Sequence, residues 1–151
     1  MSRLPQINNT LLVRHIAQSN LITCSADDTA DSLIKIMANQ KIGCIVVCEN
    51  RLPIGIVSRR DLIRLWADPS KPTLVKEFMS SPVLTVSEWT SVDEAGLRFI
   101  SDEVRHLVVT KTTGEACGII SETDVVNSHG LEHDLFLRSV DEIADHALCI
   151  Y

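Results

Sequence analysis

At 151 residues, the chain is long enough for one domain or for two very small fused units. Its composition, 45% hydrophobic and 23% charged, is that of a globular protein with a core. The formal net charge of −6 argues against binding along nucleic-acid backbones, which requires a basic face. No apolar run approaches the ~20 residues that span a bilayer. The first residues also lack an apolar signal segment, so we expect a cytoplasmic protein that does not enter membranes.

The five cysteines form a scattered set without a CxxC pair, which favours reduced, largely buried thiols in a cytosolic protein: Cys24, Cys44, Cys48, Cys117 and Cys149. His129 and His133 are four residues apart and could ligate a metal from one helix face, but Gly130 interrupts that helix, so we expect no metal site. Phosphate loops, zinc-protease motifs and nucleophile elbows are all missing from the sequence, so we expect no enzyme and no catalytic cofactor.

One heptapeptide pattern occurs twice and organises the chain. Gly55-Ile56-Val57-Ser58-Arg59-Arg60-Asp61 returns as Gly118-Ile119-Ile120-Ser121-Glu122-Thr123-Asp124. Each copy is a glycine, two β-branched residues, a serine, two variable residues and an aspartate. The β-branched pair predicts the end of a strand, and Ser-x-x-Asp before apolar residues predicts the start of a helix.

The repeat extends well beyond this motif. Val13 matches Val75 and the stretch 21–25 matches 83–87, each at a spacing of 62 residues. The strand-like residues 45–47 match 107–109 at the same spacing, and one extra residue in the second turn shifts the glycine motif to a spacing of 63. Agreement in register over some fifty residues indicates a true internal repeat.

Each repeat predicts the order β-α-β-β-α. Short strands are expected at 21–24 and 83–86, and longer buried strands at 44–48 and 107–110. The helix between them carries an apolar stripe at i, i+3, i+4, i+7 and i+8. In the first repeat the stripe is Ala30, Leu33, Ile34, Met37 and Ala38, and in the second it is Val92, Ala95, Gly96, Phe99 and Ile100. The fold class is therefore α+β.

These patterns divide the chain into five segments. A lead-in covers residues 1–12, the first repeat 13–67, a proline-bearing linker 68–73 and the second repeat 74–129. Residues 130–151 place Leu135, Ile143 and Leu148 among acidic residues, which predicts an amphipathic acidic C-terminal helix. The linker is too short for the two repeats to move independently.

The doubled motif permits two interpretations. A strand that runs into a helix through small and polar residues presents backbone N–H groups that suit an anion. On residue types alone, however, Ser58 with Asp61, and Ser121 with Asp124, are explained as N-terminal capping boxes. Capping and ligand contact can also coexist in one motif.

With these features in order and repeated, residues 13–127 resemble a tandem pair of CBS motifs (cystathionine-β-synthase type), together called a Bateman module. The doubled G-h-h-S-x-x-D motif carries the resemblance, together with the strands Val83-Leu84-Thr85-Val86-Ser87 and Arg105 to Val109. It implies two motifs packed about a pseudo-two-fold axis and adenine nucleotides or other adenosyl compounds bound between them. It also implies a homodimer.

The resemblance implies that the aspartate of the motif binds the ribose hydroxyls and that its serine faces the phosphate. It also pairs the motif of one repeat with the first two strands of the other. For the main cleft, around Asp61, the implied nucleotide-binding residues are Gly55, Ile56, Val57, Ser58, Arg60, Asp61, Leu84, Thr85, Arg105 and His106. Two arginines and a titratable histidine that converge there favour a phosphorylated ligand.

For the second cleft, around Asp124, the implied residues are Ile22, Thr23, Gly43, Cys44, Gly118, Ser121, Thr123 and Asp124. The sequence assigns no cation to this cleft, and Glu122 would repel phosphate there if it turned inward. We therefore expect the Asp124 cleft to bind the weaker or less anionic ligand, and Gly55 and Gly118 to let the backbone approach the ligand closely.

The leading hypothesis is a regulatory module for signal transduction that senses AMP, ADP or ATP and acts on a separate, unidentified protein. A ligand-free dimerisation scaffold is the first alternative. A redox- or metal-responsive protein that uses Cys24, Cys44 or the histidines near the C-terminus is the second.

Overall fold

The structure, a computed structural model, describes residues 10–68, 70–71 and 73–129. The predicted acidic helix at 130–151 and most of the lead-in therefore lie outside the described residues. The first repeat contains α1 (Val13–Ile16), β1 (Thr23–Cys24), α2 (Ala30–Gln40), β2 (Cys44–Glu49), β3 (Leu52–Ser58) and α3 (Arg59–Trp66). The second contains α4 (Val75–Phe78), β4 (Thr85–Ser87), α5 (Val92–Ser101), β5 (His106–Thr110), β6 (Ala116–Ser121) and α6 (Glu122–Ser128).

Each repeat forms its own three-stranded sheet. In the first, β1 runs parallel to β2 and β2 runs antiparallel to β3, and the second sheet repeats this pattern with β4, β5 and β6. Even the irregularities match, since the register shifts after Val47 in one sheet and after Val109 in the other. The predicted α+β fold of two β-α-β-β-α repeats is confirmed.

Serine and threonine side chains start the four longer helices. The hydroxyl oxygens of Thr29, Ser58, Ser91 and Ser121 each accept a hydrogen bond from the backbone N–H three residues later. Such caps satisfy one of the N–H groups that a helix start leaves without a backbone partner. The capping interpretation of the doubled motif is therefore correct at the structural level.

The core buries only part of each predicted apolar stripe on α2 and α5. Leu33 and Met37 of α2 are buried, but Ile34 is 39% exposed, and on α5 Phe99 is buried while Ile100 is 58% exposed. The covered positions face the sheet of the same repeat, and the remaining apolar positions leave a hydrophobic edge on each helix. This edge is available for contacts outside the repeat.

The two short helices are exchanged between the repeats. Val13 of α1 is fully buried in the hydrophobic cluster of the second repeat, and Val75 of α4 in that of the first. Backbone hydrogen bonds hold the exchange, because Val13 N donates to Thr90 O at 2.8 Å and Val75 N donates to Asp28 O at 2.9 Å. Each core is completed by a segment of the other repeat.

The exchanged segments continue along the edge of the other sheet, and the motif glycines make room for them. Residue Gln18 bridges to Ile119, and Ser80 to Ile56. A Cβ atom on Gly118 would lie 3.0 Å from Gln18 O, and one on Gly55 would lie 2.6 Å from Met79 Sδ. The close approach that these glycines permit in the structure is therefore made by the chain's own crossing segments, and their expected contact with a ligand stays a prediction.

No helix in the described ranges is long and apolar enough to cross a membrane.

Candidate functional site between the repeats

A cavity of about 220 Å³ opens where the first repeat meets the doubled motif of the second. Its walls come from both repeats because the crossing segment after α1 runs beside β6. The first repeat contributes Gln18, Asn20, Leu21, Ile22, Lys41, Ile42, Gly43, Cys44 and Val46. The second contributes His106, Ile119, Ser121 and Asp124. This is the cleft that the sequence places around Asp124.

Asp124 and Ser121 are held in a defined geometry at the start of α6. Ser121 N donates to Asp124 Oδ2 at 2.8 Å, and Asp124 N donates to Ser121 Oγ at 3.1 Å. Among the described residues, the second carboxylate oxygen, Oδ1, accepts only a long hydrogen bond of 3.4 Å, from Gln18 Nε2. One oxygen is thus committed to the helix cap, and the other can accept hydrogen bonds from a ligand hydroxyl.

Part of the cavity lining is apolar. Ile22 and Ile119 are half-buried, and Val46, which also lines the cavity, is 1% exposed. Small molecules commonly bind in such pockets, where apolar walls accompany a few placed polar groups. A flat apolar ring with a hydroxylated substituent matches this distribution.

His106 lies in this cavity, although the sequence assigns it to the Asp61 cleft. It is the first residue of β5 and pairs with Ser121 at the end of β6. Burial lowers the pKa of His106 below its ordinary value, while the nearby Asp124 carboxylate raises it and Arg105 lowers it. His106 is therefore neutral near pH 7 in the ligand-free protein and is able to gain a proton beside an added anion.

Cys44 lines the cavity as a protonated thiol. Burial raises its pKa to about 11, opposed by Arg59 and reinforced by Asp124. Burial also raises the pKa of the other described cysteines: that of Cys24 reaches about 12, and those of Cys48 and Cys117 rise as well. Reactive thiols require the thiolate form, so these shifts speak against the redox alternative.

The expectation that the Asp124 cleft lacks a cation is wrong. Lys41, the residue immediately after α2, lines the cavity and is exposed to solvent. Arg59 stands next to it, since its Nε donates to Ile42 O at 3.3 Å. Glu122, in contrast, does not line the cavity, and its backbone N donates to Arg105 O at 3.2 Å. The sequence pattern missed Lys41 because no motif includes it.

At Asp61 the same cap contains one additional hydrogen bond. Ser58 N and Ser58 Oγ both donate to Asp61 Oδ2, at 2.7 and 2.8 Å, and Asp61 N donates to Ser58 Oγ at 3.3 Å. The serine hydroxyl proton is therefore already used within the motif. At Ser121 that proton has no acceptor among the described residues.

The other residues assigned to the main cleft occupy different environments. Val57 is fully buried in the first core cluster, so only its backbone could contact a ligand. Leu84 packs partly against the second cluster, and Thr85 is half-buried in β4. Arg60 and Arg105 are exposed.

Three residues assigned to the second cleft stand outside its cavity. Thr23 is exposed on β1, Thr123 is exposed on the first turn of α6, and Gly118 is covered by the crossing segment. Ile22, Gly43, Cys44, Ser121 and Asp124 are brought together in the cavity. Within the described ranges, no three His, Cys, Asp or Glu side chains converge on a possible metal position.

The comparisons agree with the internal repeat. The family model described as CBS domain matches residues 13–68 and again 75–129. An uncharacterized protein of Methanopyrus kandleri is 31% identical over 118 residues, which cover 76% of this chain and 60% of that protein. The chain thus spans about three fifths of the length of this curated relative.

Two solved structures share the architecture. The CBS domain pair of protein MJ0100, in complex with 5′-methylthioadenosine and S-adenosyl-L-methionine, superposes with a TM-score of 0.75 at 19% identity. CBSX2 in complex with AMP superposes with a TM-score of 0.73 at 20% identity. Each match covers 82% of this chain and 98% of the other. At these identities, the likeness establishes the fold.

Proposed function

This chain belongs to the CBS domain family, and we propose that it is a regulatory module that binds an adenosyl ligand between its two repeats. The observation that carries the proposal is the composite cavity, which is lined both by Asp124 of the second repeat and by the apolar residues Ile22 and Val46 of the first. The solved neighbours that bind AMP, 5′-methylthioadenosine or S-adenosyl-L-methionine share the fold that creates this cavity.

In this proposal the adenine ring lies against Ile22, Val46 and Ile119, where it exchanges water for aliphatic contacts. The vicinal ribose hydroxyls donate to Asp124 Oδ1 and displace the weak bond from Gln18. An ionised carboxylate accepts from both hydroxyls without rearrangement, because it has no proton of its own to place. Ser121 then stands on the side of the ligand that carries its 5′ substituent.

Binding at the junction of two repeats gives the ligand a means of regulation. A ligand that contacts both repeats stabilises one relative arrangement of them, and a preference of one or two kcal/mol is enough to shift a two-state population substantially. We propose that this arrangement is read by a separate protein. A reducing compartment rich in adenylates, the cytoplasm, fits both the ligand class and the free thiols.

The exposed apolar edges favour a second role, homodimer formation, that is compatible with the first. Ile63 and Trp66 of α3 are 70% and 76% exposed, and on the second repeat Leu97, Ile100 and Val126 are each more than half exposed. A groove lined by Ile34, Met37, Leu62, Ile63 and Trp66 continues this surface. Apolar edges on matched helices of both repeats suit a second copy of the chain, with or without ligand.

One melting experiment tests the ligand proposal. The protein is heated with AMP, ADP, ATP, NAD or S-adenosylmethionine at increasing concentration. A ligand present at a hundred times its Kd adds about 2.7 kcal/mol to the free energy of unfolding, which raises Tm on the order of 5–10 °C. A ligand-free scaffold would instead show a Tm that depends on protein concentration and on none of the five compounds, and that result would contradict the ligand proposal.

A further inference from the structure

The two repeats carry opposite charges at two matched positions. Lys41 and Glu103 each follow the long helix of their repeat and each precede the first residue of the next strand by three positions. Both adopt the left-handed backbone conformation, with φ of 54° and 53°. Arg59 and Glu122 are likewise matched as the first residues of α3 and α6.

These matched residues lie in equivalent places around the pseudo-symmetric clefts. Arg59 N donates to Gly43 O at 3.0 Å, and Glu122 N donates to Arg105 O at 3.2 Å. Gly43 lines the Asp124 cavity, so the mouth of that cavity carries Lys41 with Arg59 beside it. By the equivalence of the repeats, the corresponding place at the Asp61 cleft carries Glu103 with Glu122 beside it.

The cations near the Asp124 cavity are not neutralised within the described residues. Among these residues, Lys76 pairs with Asp27 and Arg98 with Asp102, and His129 Nε2 lies 3.7 Å from Asp93 Oδ1. Neither Lys41 nor Arg59 takes part in such a pair within the described residues. At the matched places of the other cleft, Arg60 and Arg105 are accompanied by Glu103 and Glu122, so the formal charges there sum to zero. The excess positive charge is therefore at the Asp124 cavity, the reverse of the expectation from the sequence.

The serine hydroxyls of the two motifs also favour an anion at the Asp124 cavity over one at Asp61. Ser58 donates its proton to Asp61, whereas Ser121 has its proton available for a ligand oxygen. The cavity volume of about 220 Å³ is below the ~300–1,000 Å³ usual for small-molecule sites. A ligand that fills it with its nucleoside part therefore extends its 5′ substituent toward the mouth, where Lys41 is exposed.

We propose that the Asp124 cavity is the site for a phosphorylated adenosyl ligand, and that Lys41 is the residue that selects the phosphate. The inference rests on the proposed function and adds to it which cleft carries the anion and what recognises it. Lys41 pairs with the phosphate at the mouth, Ser121 donates to a phosphate oxygen, and Asp124 holds the ribose. Glu103 disfavours an anion at the matched place of the other cleft.

The test compares AMP with adenosine, which lacks only the phosphate, by isothermal titration calorimetry on the wild type and on Lys41→Glu. Charge reversal at the mouth replaces attraction by repulsion, so we expect AMP affinity to fall about tenfold or more. Adenosine affinity should change less than about twofold. The backbone accepts the substitution, because Glu103 already has the same left-handed conformation.

Lys35→Glu is the matched control. Lys35 is exposed on α2, the helix that ends just before Lys41, and it does not line the cavity. Its replacement by Glu changes the net charge by the same amount. AMP affinity equal to wild type in Lys35→Glu and reduced in Lys41→Glu supports the proposal. Equal AMP binding by Lys41→Glu and wild type, or an equal loss for adenosine and AMP, would overturn the role of Lys41 alone. Wild-type protein that binds no adenosyl compound would overturn the proposed function as well.

Discussion

Replacing Asp124 by Asn is expected to weaken AMP binding by about 10- to 100-fold in Kd. In the proposed complex, the ribose hydroxyls donate to the carboxylate oxygen Oδ1, whose one hydrogen bond within the described residues is the long one from Gln18. A hydrogen bond to a charged group contributes about 1.5–3 kcal/mol, and each 1.4 kcal/mol is a factor of ten in affinity. Asn also introduces an N–H₂ group that cannot accept from ribose.

The substitution leaves the fold intact because the amide oxygen of Asn can still accept from Ser121 N and preserve the cap of α6. Asp61→Asn is the matched control, since it alters the corresponding cap, Ser58 N to Asp61, in the first repeat. We expect this control to change AMP affinity by less than about threefold. Titration calorimetry that finds the larger loss in Asp61→Asn would show that AMP binds in the other cleft.

Replacing Leu107 by Ala is expected to lower the free energy of unfolding by about 2–5 kcal/mol. Leu107 is fully buried on β5, within the cluster that also contains Val13 from the first repeat. The truncation removes apolar contacts and leaves a cavity between β5 and its neighbours. For a domain stabilised by about 5–15 kcal/mol, this is a large fraction of the total.

Leu97→Ala provides the matched comparison for this core substitution. Leu97 belongs to the same repeat and carries the same side chain, but it is 56% exposed on α5. Chemical denaturation should show a change within about 0.5 kcal/mol for Leu97→Ala. If the two variants lose similar stability, then Leu107 is not in the core as described, or Leu97 is buried in a dimer at the concentration used. Measurement at several protein concentrations separates those two cases.

Much of the fold is predictable because its signals are local and doubled. The Ser-x-x-Asp motifs specify helix starts through hydrogen bonds within four residues, and the β-branched runs specify the paired strands. Because the sequence is repeated, a helix or strand predicted in one repeat can be compared with the matching segment of the other. Strand ends are less well determined: β1 comprises only Thr23–Cys24, although the apolar pattern begins at Leu21.

The exchange of α1 and α4 between the cores could not be predicted, because Val13 and Val75 each follow a leucine and precede a basic residue, and either valine would fit either core. Which core a short apolar helix enters depends on the path of the chain between the repeats. The same crossing explains Gly55 and Gly118, whose missing side chains make room for Met79 and Gln18. From sequence alone, a tight backbone contact cannot be told apart from a ligand contact.

The site was partly predictable for a related reason. Asp124, Ser121 and Cys44 belong to motifs or strands, so the resemblance brings them to one cleft. Lys41 belongs to neither a motif nor a strand. It reaches the cavity through a left-handed backbone conformation after α2, and no sequence pattern marks that position. The positive residues within the motifs favour a phosphate at the Asp61 cleft. The positive residues around the cavity favour a phosphate at Asp124 instead.

The most direct measurement is a crystal structure of the protein soaked or grown with AMP. We expect a nucleotide in the cavity between the repeats, with its ribose on Asp124, its adenine against Ile22 and Ile119, and its phosphate within reach of Lys41 and Ser121. Crystals grown with saturating AMP that show the nucleotide only beside Asp61, or no nucleotide at all, would contradict this expectation.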